Sequence, residues 1–167
     1  MLGLLLGCGL RRSEVVGLRL EQLQLREDHW VIVDLVGKGE RVRAVPMPAW
    51  CKTLVDCWLQ HSDVSEGKVF RQTLRNGKRQ DASVTSNVVW YAVKRCAKQA
   101  SIENLAPHDL RRSCARLCHG SGGEFEQFQF LLGHASVQTT ERCIGCKQNL
   151  KQAVNGRFGV SVVSHAA

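Results

Sequence analysis

Pro107-His108-Asp109-Leu110-Arg111, followed downstream by Leu131-Leu132-Gly133-His134 and then by Thr139-Thr140-Glu141-Arg142-Cys143, decides how this chain is read. Proline suits the first turn of a helix, where its missing N–H has no partner to lose, so a helix is predicted from His108 to about Cys118. Leu110, Cys114, Leu117 and Cys118 make its predicted buried stripe. His108 and Arg111 share another face and can turn together toward one anion. Gly120-Ser121-Gly122-Gly123 breaks the chain, a further helix is predicted from Glu124 to Leu132, and Gly133 ends it so that His134 projects from a turn. One or two helices are predicted beyond.

Upstream, Leu2 to Leu6 reads as helix, Gly9 to Arg12 as a turn, and Ser13 as the N-cap of a short helix carrying Glu14, Val15, Val16 and Leu18. Leu23 to Leu25, Trp30 to Val36 and Arg41 to Val45 are β-branched or alternating, with Gly37-Lys38-Gly39-Glu40 as a hairpin turn. They predict a three-stranded antiparallel sheet. After Pro46 and Pro48 helical spacing resumes, with Trp50, Leu54, Trp58 and Leu59 as one apolar stripe. Gln72 to Asp81, with Arg75, Lys78 and Arg79 around Asn76-Gly77, reads as an exposed basic loop, either a phosphate contact or an ordinary solvated loop. A helix is predicted from about Ser86 to Gln99, with Val89, Val93, Cys96 and Ala97 inward. The predicted class is α+β, mainly helical, with one small antiparallel sheet near the N-terminus.

The 167 residues fit one domain with a single core, and 44% apolar content is ordinary for a globular chain. Lysine and arginine total 23 against 15 acidic residues, a net +8 and a pI near 9.3, which points to a polyanionic partner such as nucleic acid or an anionic membrane surface. The opening Met1-Leu2-Gly3-Leu4-Leu5-Leu6-Gly7-Cys8 resembles a lipoprotein signal in ending on Gly-Cys, but it lacks a basic leading region and its apolar run is short. It reads as a core helix whose beginning is missing. No run approaches the ~18 apolar residues of a membrane span, so a cytoplasmic location is expected.

Eight cysteines include Cys143-Ile144-Gly145-Cys146, which has the spacing of a metal or redox site. Cys114, Cys118 and His119 lie close together, but no second spaced pair completes a zinc finger or ribbon. Cys8, Cys51, Cys57, Cys96, Cys114 and Cys118 are read as small core hydrophobes in a reducing compartment. No metal or small-molecule cofactor is expected.

Taken together, the motifs resemble the catalytic domain of a tyrosine recombinase, the phage integrase family, over nearly the whole chain to about residue 150. Cys8-Gly9-Leu10-Arg11-Arg12-Ser13-Glu14 is similar to the family's first arginine box, which implies that Arg11 is catalytic and Glu14 supports it. Gly37-Lys38-Gly39-Glu40-Arg41 ahead of Val45-Pro46 resembles the hairpin carrying the catalytic lysine, placing that role on Lys38. His108-Asp109-Leu110-Arg111 matches the HxxR box and Leu131-Leu132-Gly133-His134 the LLGH box. Each motif alone is weak. Their order and spacing in one chain carry the resemblance.

The chemistry of these residue types agrees with it. Nucleophilic attack on a DNA phosphodiester builds negative charge on the non-bridging oxygens, so preorganised cations are the main requirement. Arg11 and Arg111 supply planar forks that match phosphate, His108 and His134 donate or exchange protons, and Lys38 can protonate the departing 5′-oxygen. The sequence offers no carboxylate cluster suited to magnesium. In the family a tyrosine some nine residues after the LLGH histidine attacks phosphorus, and here that position is Cys143. The only tyrosine, Tyr91, sits in a predicted helix as a packing residue. Cysteine is shorter by a ring and attack requires atoms roughly 3–3.5 Å apart, so Cys143 is expected not to replace the tyrosine.

The expectation is therefore an integrase-type strand-breaking domain that binds duplex DNA but is inactive in this copy. The alternative is a non-catalytic DNA-binding protein that occupies recombination sites or joins an active recombinase assembly. Residues 1–167 are expected to be a catalytic domain trimmed at its start and without the core-binding domain; a fragment, a decayed gene and a short functional product all remain open. The family implies a homo-tetramer on DNA. Leu150, Ala153, Val154 and Phe158 suit either a helix given to a neighbour or one packed on its own domain.

Overall fold

The computed structural model describes residues 1–37, 42–73, 79–121 and 131–133, with backbone alone at Thr73 and 79–81. Helix α1, Leu2–Gly7, buries Leu4 and Leu5, and helix α2, Arg12–Gly17, buries Glu14 and Val15. The turn between them passes through Gly9 at φ +57°. The N-cap of α2 is Arg11 rather than Ser13: the Glu14 carboxylate reaches back and accepts the Arg11 backbone N–H at 2.7 Å. A glutamate at the third helical position thus performs the capping that the sequence suggested for a serine side chain.

A short 3-10 turn, Leu20–Gln22, leads into β1, Leu23–Arg26, β2, His29–Val36, and β3, Val42–Pro46. They form an antiparallel sheet in the order β1-β2-β3, with Leu23 opposite Ile32 and Ile32 opposite Val45. This is the sheet expected from the alternating pattern. Ile32, Leu35 and Val45 point inward to meet Leu5, Leu10 and Leu18.

Helix α3, Ala49–Ser62, departs from expectation in its phase. Its buried positions are Cys51, Val55 and Ser62, while Trp50, Leu54 and Trp58 are 48%, 55% and 41% exposed. Trp58 is anchored from the side, donating its indole N–H to the Val69 carbonyl at 2.9 Å and tilting its ring against Phe70. The segment from Gln72 to Asp81 is likewise no plain loop. Arg71–Thr73 (β4) and Arg79–Ser83 (β5) pair antiparallel, with 74–78 outside the described residues.

Helix α4 runs Ser86–Gln99 as predicted, with Val89, Val93 and Ala97 buried and Cys96 half-buried. Helix α5 runs Pro107–Gly120 with Pro107 in the first turn, and buries Leu110, Arg111, Cys114 and Ala115. Leu117, expected in its buried stripe, is 61% exposed, and Cys118 is only partly covered. The inward positions are instead taken by the guanidinium of Arg111 and by Ala115. Of the cysteines expected in the core, Cys8, Cys51 and Cys114 are buried, Cys96 and Cys118 are intermediate, and Cys57 is exposed. Among the described residues, no helix is long and apolar enough to cross a membrane.

Candidate active site

Arg11, at the mouth of α2, and Arg111, one turn into α5, are brought together by the packing of α5 on α1. Arg111 is 2% exposed, and its Nη1 and Nη2 donate to the Gly9 and Leu132 carbonyls. Arg11 donates from Nη2 to the Leu132 and Gly133 carbonyls at 3.4 and 3.2 Å. One backbone turn, 131–133, is therefore held by both arginines. A buried guanidinium needs acceptors, and these carbonyls supply them without neutralising its charge.

Beneath them lies Glu14, its side chain 2% exposed. Arg11 Nη1 reaches Glu14 Oε1 at 2.8 Å, and Arg43 from β3 grips both carboxylate oxygens at 2.9 Å. Arg43 also donates from Nε to the Leu131 carbonyl at 3.1 Å. Burial alone would raise the Glu14 carboxyl; the Arg43 hydrogen bonds, the Arg11 N–H and the nearby guanidinium charges outweigh it and hold the group below the ordinary glutamate range.

Arg43 is the residue that the motif reading missed. A signal was present: Arg43 and Val45 share the inward phase of β3, and an arginine at an inward strand position calls for a buried acid. Gly133, at φ +57°, fits against the same side chain, since a Cβ there would lie 3.0 Å from Arg43 Cδ.

A cavity of about 420 Å³ opens above this network, lined by Arg11, Arg12, Ser13, Ser86, His108 and Arg111, with Leu10 and Pro107 as its apolar wall. His108 is exposed at its rim. Three guanidiniums, an imidazole and two hydroxyls converge there, with no carboxylate among the described lining residues. Such a lining suits an oxyanion, because every polar group can donate. Arg12, Ser13 and Ser86 were not among the site residues expected from the sequence, where Ser13 was read only as an N-cap. Among the described residues, no group of three or more histidine, cysteine or acidic side chains is placed to hold a metal ion.

The structure thus brings together four of the residues named from the sequence: Arg11, Glu14, His108 and Arg111. Lys38, His134 and Cys143 lie outside the described residues, as do Arg75 and Lys78 of the basic segment. Arg79 begins β5, and its side chain is not described.

Gly9 is where this arrangement tolerates least. A Cβ there would lie 2.9 Å from Leu132 Cδ2 and 3.4 Å from Cys114 Sγ, at a backbone angle L side chains rarely adopt. Gly9→Ala is expected to cost about 1–2 kcal/mol from the left-handed backbone alone, and more as Leu132 is displaced. A thermal melt that matches the parent chain would sink this account.

Comparison with known proteins agrees with the fold and the motifs. The model of the phage integrase family matches residues 1–144. Tyrosine recombinase XerD of Shewanella oneidensis is 36% identical over 145 residues, covering 84% of this chain and 46% of that protein. Tyrosine recombinase XerA of Thermococcus kodakarensis is 37% identical over 139 residues, covering 83% of this chain and 47% of its own. Among solved structures, XerH site-specific recombinase bound to palindromic difH substrate in a post-cleavage complex superposes with a TM-score of 0.73 at 23% identity. That alignment covers 88% of this chain and 41% of the other. A crystal structure of XerA recombinase gives 0.70 at 25%, covering 87% and 52%. The chain belongs to the phage integrase family and has the tyrosine-recombinase catalytic-domain fold. It spans about half the length of the curated relatives it matches.

Proposed function

We propose that this chain is the catalytic-domain portion of a site-specific DNA recombinase, one that engages the phosphodiester of duplex DNA but does not complete strand cleavage. The observation that carries the reading is the cation-lined cavity, where Arg11 and His108, far apart in sequence, meet beside Arg111 with no acid among the described residues of the wall. In this reading Arg11 and Arg111 hold the non-bridging oxygens, and their charge counts most where negative charge develops on attack. Glu14 keeps Arg11 in place. His108 and His134 donate to the same phosphate, Lys38 protonates the departing 5′-oxygen, and the basic segment with Arg75, Lys78 and Arg79 contacts flanking phosphates.

Cys143 occupies the position at which the family uses its nucleophilic tyrosine. Its thiol falls short of phosphorus by the length of a ring, so the site binds and the bond stays intact. The XerH relative solved on difH substrate supports duplex DNA as the partner. Residues 1–167 act as one catalytic-domain unit in the cytoplasm, joining a tetramer on paired sites. A chain that binds without cutting could also occupy sites or enter the assembly of an active recombinase.

Nicked suicide duplexes from a randomised pool test this. The parent chain is expected to bind with steep salt dependence and to give no covalent band. Cys143→Tyr is expected to give one. A covalent band with the parent chain would falsify the claim of inactivity, and no band with Cys143→Tyr would show that this position is not the only lesion. Absence of duplex binding in both would remove the DNA reading.

A further inference from the structure

Outside the cation-lined cavity, two thiols face each other in the core. Cys8 follows α1 and Cys51 lies in the first turn of α3; both are fully buried, and their sulfurs are 3.7 Å apart. The two helices approach this closely because α1 turns glycines toward α3. A Cβ at Gly7 would lie 2.7 Å from the Trp50 ring and 3.4 Å from Cys51 Cβ, and one at Gly3 would lie 3.7 Å from Cys51 Sγ. Cys51 also sits in the wall of an apolar groove of about 490 Å³, with Leu54, Trp58 and Phe70 among its neighbours. Cys51 lies behind the surface of this wall and Cys8 does not line the groove, so a local opening of the α1–α3 crossing exposes Cys51 to a small reagent before Cys8.

We propose that Cys8 and Cys51 form a thiol oxidation site, converted to an intramolecular disulfide by a small-molecule disulfide of the glutathione class, and that this bond disturbs the arginine-lined cavity. The reaction is two successive exchanges. Cys51 attacks one sulfur of the small disulfide, forming a mixed disulfide and releasing one small thiol, which carries away the Cys51 proton. Cys8 then attacks Cys51 Sγ, expelling the second small thiol with the Cys8 proton. The protein loses two protons and two electrons, and the small disulfide takes them up to become two thiols.

The division of roles follows from which sulfur lies on the groove side, and the sulfur–sulfur contact acts in the same direction. Its hydrogen bond to Cys51, and then burial, hold the Cys8 thiol well above the ordinary range, while the same bond lowers Cys51. Cys51 is therefore the attacking sulfur and Cys8 the resolving one. Cys114, the next thiol inward, is pushed up to about 12 by burial first and by Cys118 next, and stays protonated.

Closing the pair means shortening 3.7 Å to the ~2.05 Å of a disulfide. Cys8 leads directly into Gly9, whose carbonyl accepts from Arg111, and then into Leu10 and Arg11. A pull on Cys8 is thus transmitted to both guanidiniums of the cavity. This consequence rests on the anion-binding reading above; formation of the bond does not.

The test uses the unaltered chain, incubated natively with oxidised glutathione, alkylated, and digested with trypsin without reduction. Residues 1–11 and 44–52 are then separate peptides holding one cysteine each, Cys8 and Cys51. The expected product is these two peptides joined, lighter by two hydrogens. Affinity for a short random-sequence duplex is expected to fall several-fold on oxidation and to return with dithiothreitol, whereas Cys51→Ala should lose the oxidant response. Absence of the 1–11/44–52 pair, or mixed disulfides confined to exposed Cys57, overturns the site. A formed link with unchanged duplex affinity overturns its coupling to the cavity. Should neither redox state bind duplex, the DNA reading fails, and the peptide pair still decides the oxidation site.

Discussion

Glu14→Ala is expected to lower stability by about 3–5 kcal/mol, the usual effect of removing one partner from a buried ion pair. The reason is geometric. Glu14 is 2% exposed in its side chain, and the Arg43 guanidinium against it only 10%, so water cannot take the place of the lost carboxylate. Arg43 would keep its bond to the Leu131 carbonyl but lose both carboxylate contacts, and Arg11 would lose its anchor and its cap. At roughly 2–4 °C per kcal/mol for a chain of this size, the melting temperature should drop by about 10 °C. Glu14→Gln keeps the shape but sets an amide against a guanidinium, and should fall between the two. Because the folded carboxyl is held below its unfolded value near ~4.3, its contribution is complete above about pH 5 and is lost as pH falls through the folded value. The Gln variant should therefore show a shallower loss of stability on acidification than the parent. Equal melting temperatures for parent and Glu14→Ala at neutral pH would dismiss the carboxylate as the link between β3, α2 and the 131–133 turn.

How far the sequence carried this reading depended on which physical signal each part left in it. Helix α4 was found at its observed bounds because Val89, Val93 and Ala97 repeat at helical spacing beside charged neighbours. The three-stranded sheet was legible for the same reason, with β-branched alternation bounded by a glycine turn. The β4-β5 pair was not: Arg71–Thr73 and Arg79–Ser83 are almost wholly polar, and their pairing rests on backbone hydrogen bonds that leave no hydrophobic period. Asn76-Gly77, read as a loop mark, is also a hairpin signal. On α3 the tryptophans misled, because size suggested burial while the tight crossing with α1 takes small Cys51 and Val55.

The site divides along similar lines. Arg11, Glu14, His108 and Arg111 were named because they stand in motifs, and all four meet at or beneath one cavity. Arg43 stands in none and was overlooked, although it holds the acid on which Arg11 depends. The burial of Arg111 was also misjudged. Helical phase placed it beside His108, and only the packing of α1 on α5 and the neighbouring 131–133 turn show that its fork serves the core as well as the cavity.

That double use gives the second large effect. Arg111→Met keeps most of the aliphatic stem but removes the donors to the Gly9 and Leu132 carbonyls, and each buried acceptor left without a partner costs about 1–3 kcal/mol. Stability should fall by roughly 2–5 kcal/mol, in the range of a lost buried network. The same change takes one fixed positive charge from the cavity. Duplex affinity, measured well below the variant's melting temperature, should weaken across all sequences, and the slope of log affinity against log salt should become shallower by about one. Arg111→Lys separates the two roles. An ammonium retains the charge, so the salt slope should return toward that of the parent, but it has no planar fork to span two carbonyls, so much of the stability loss should persist. If Arg111→Met instead lost stability yet kept the parent salt slope, Arg111 would be a structural clamp on the 131–133 turn, and phosphate contact would fall to Arg11, Arg12 and His108. If both variants melted like the parent, the carbonyl bonds would contribute nothing, and the buried guanidinium would need another explanation.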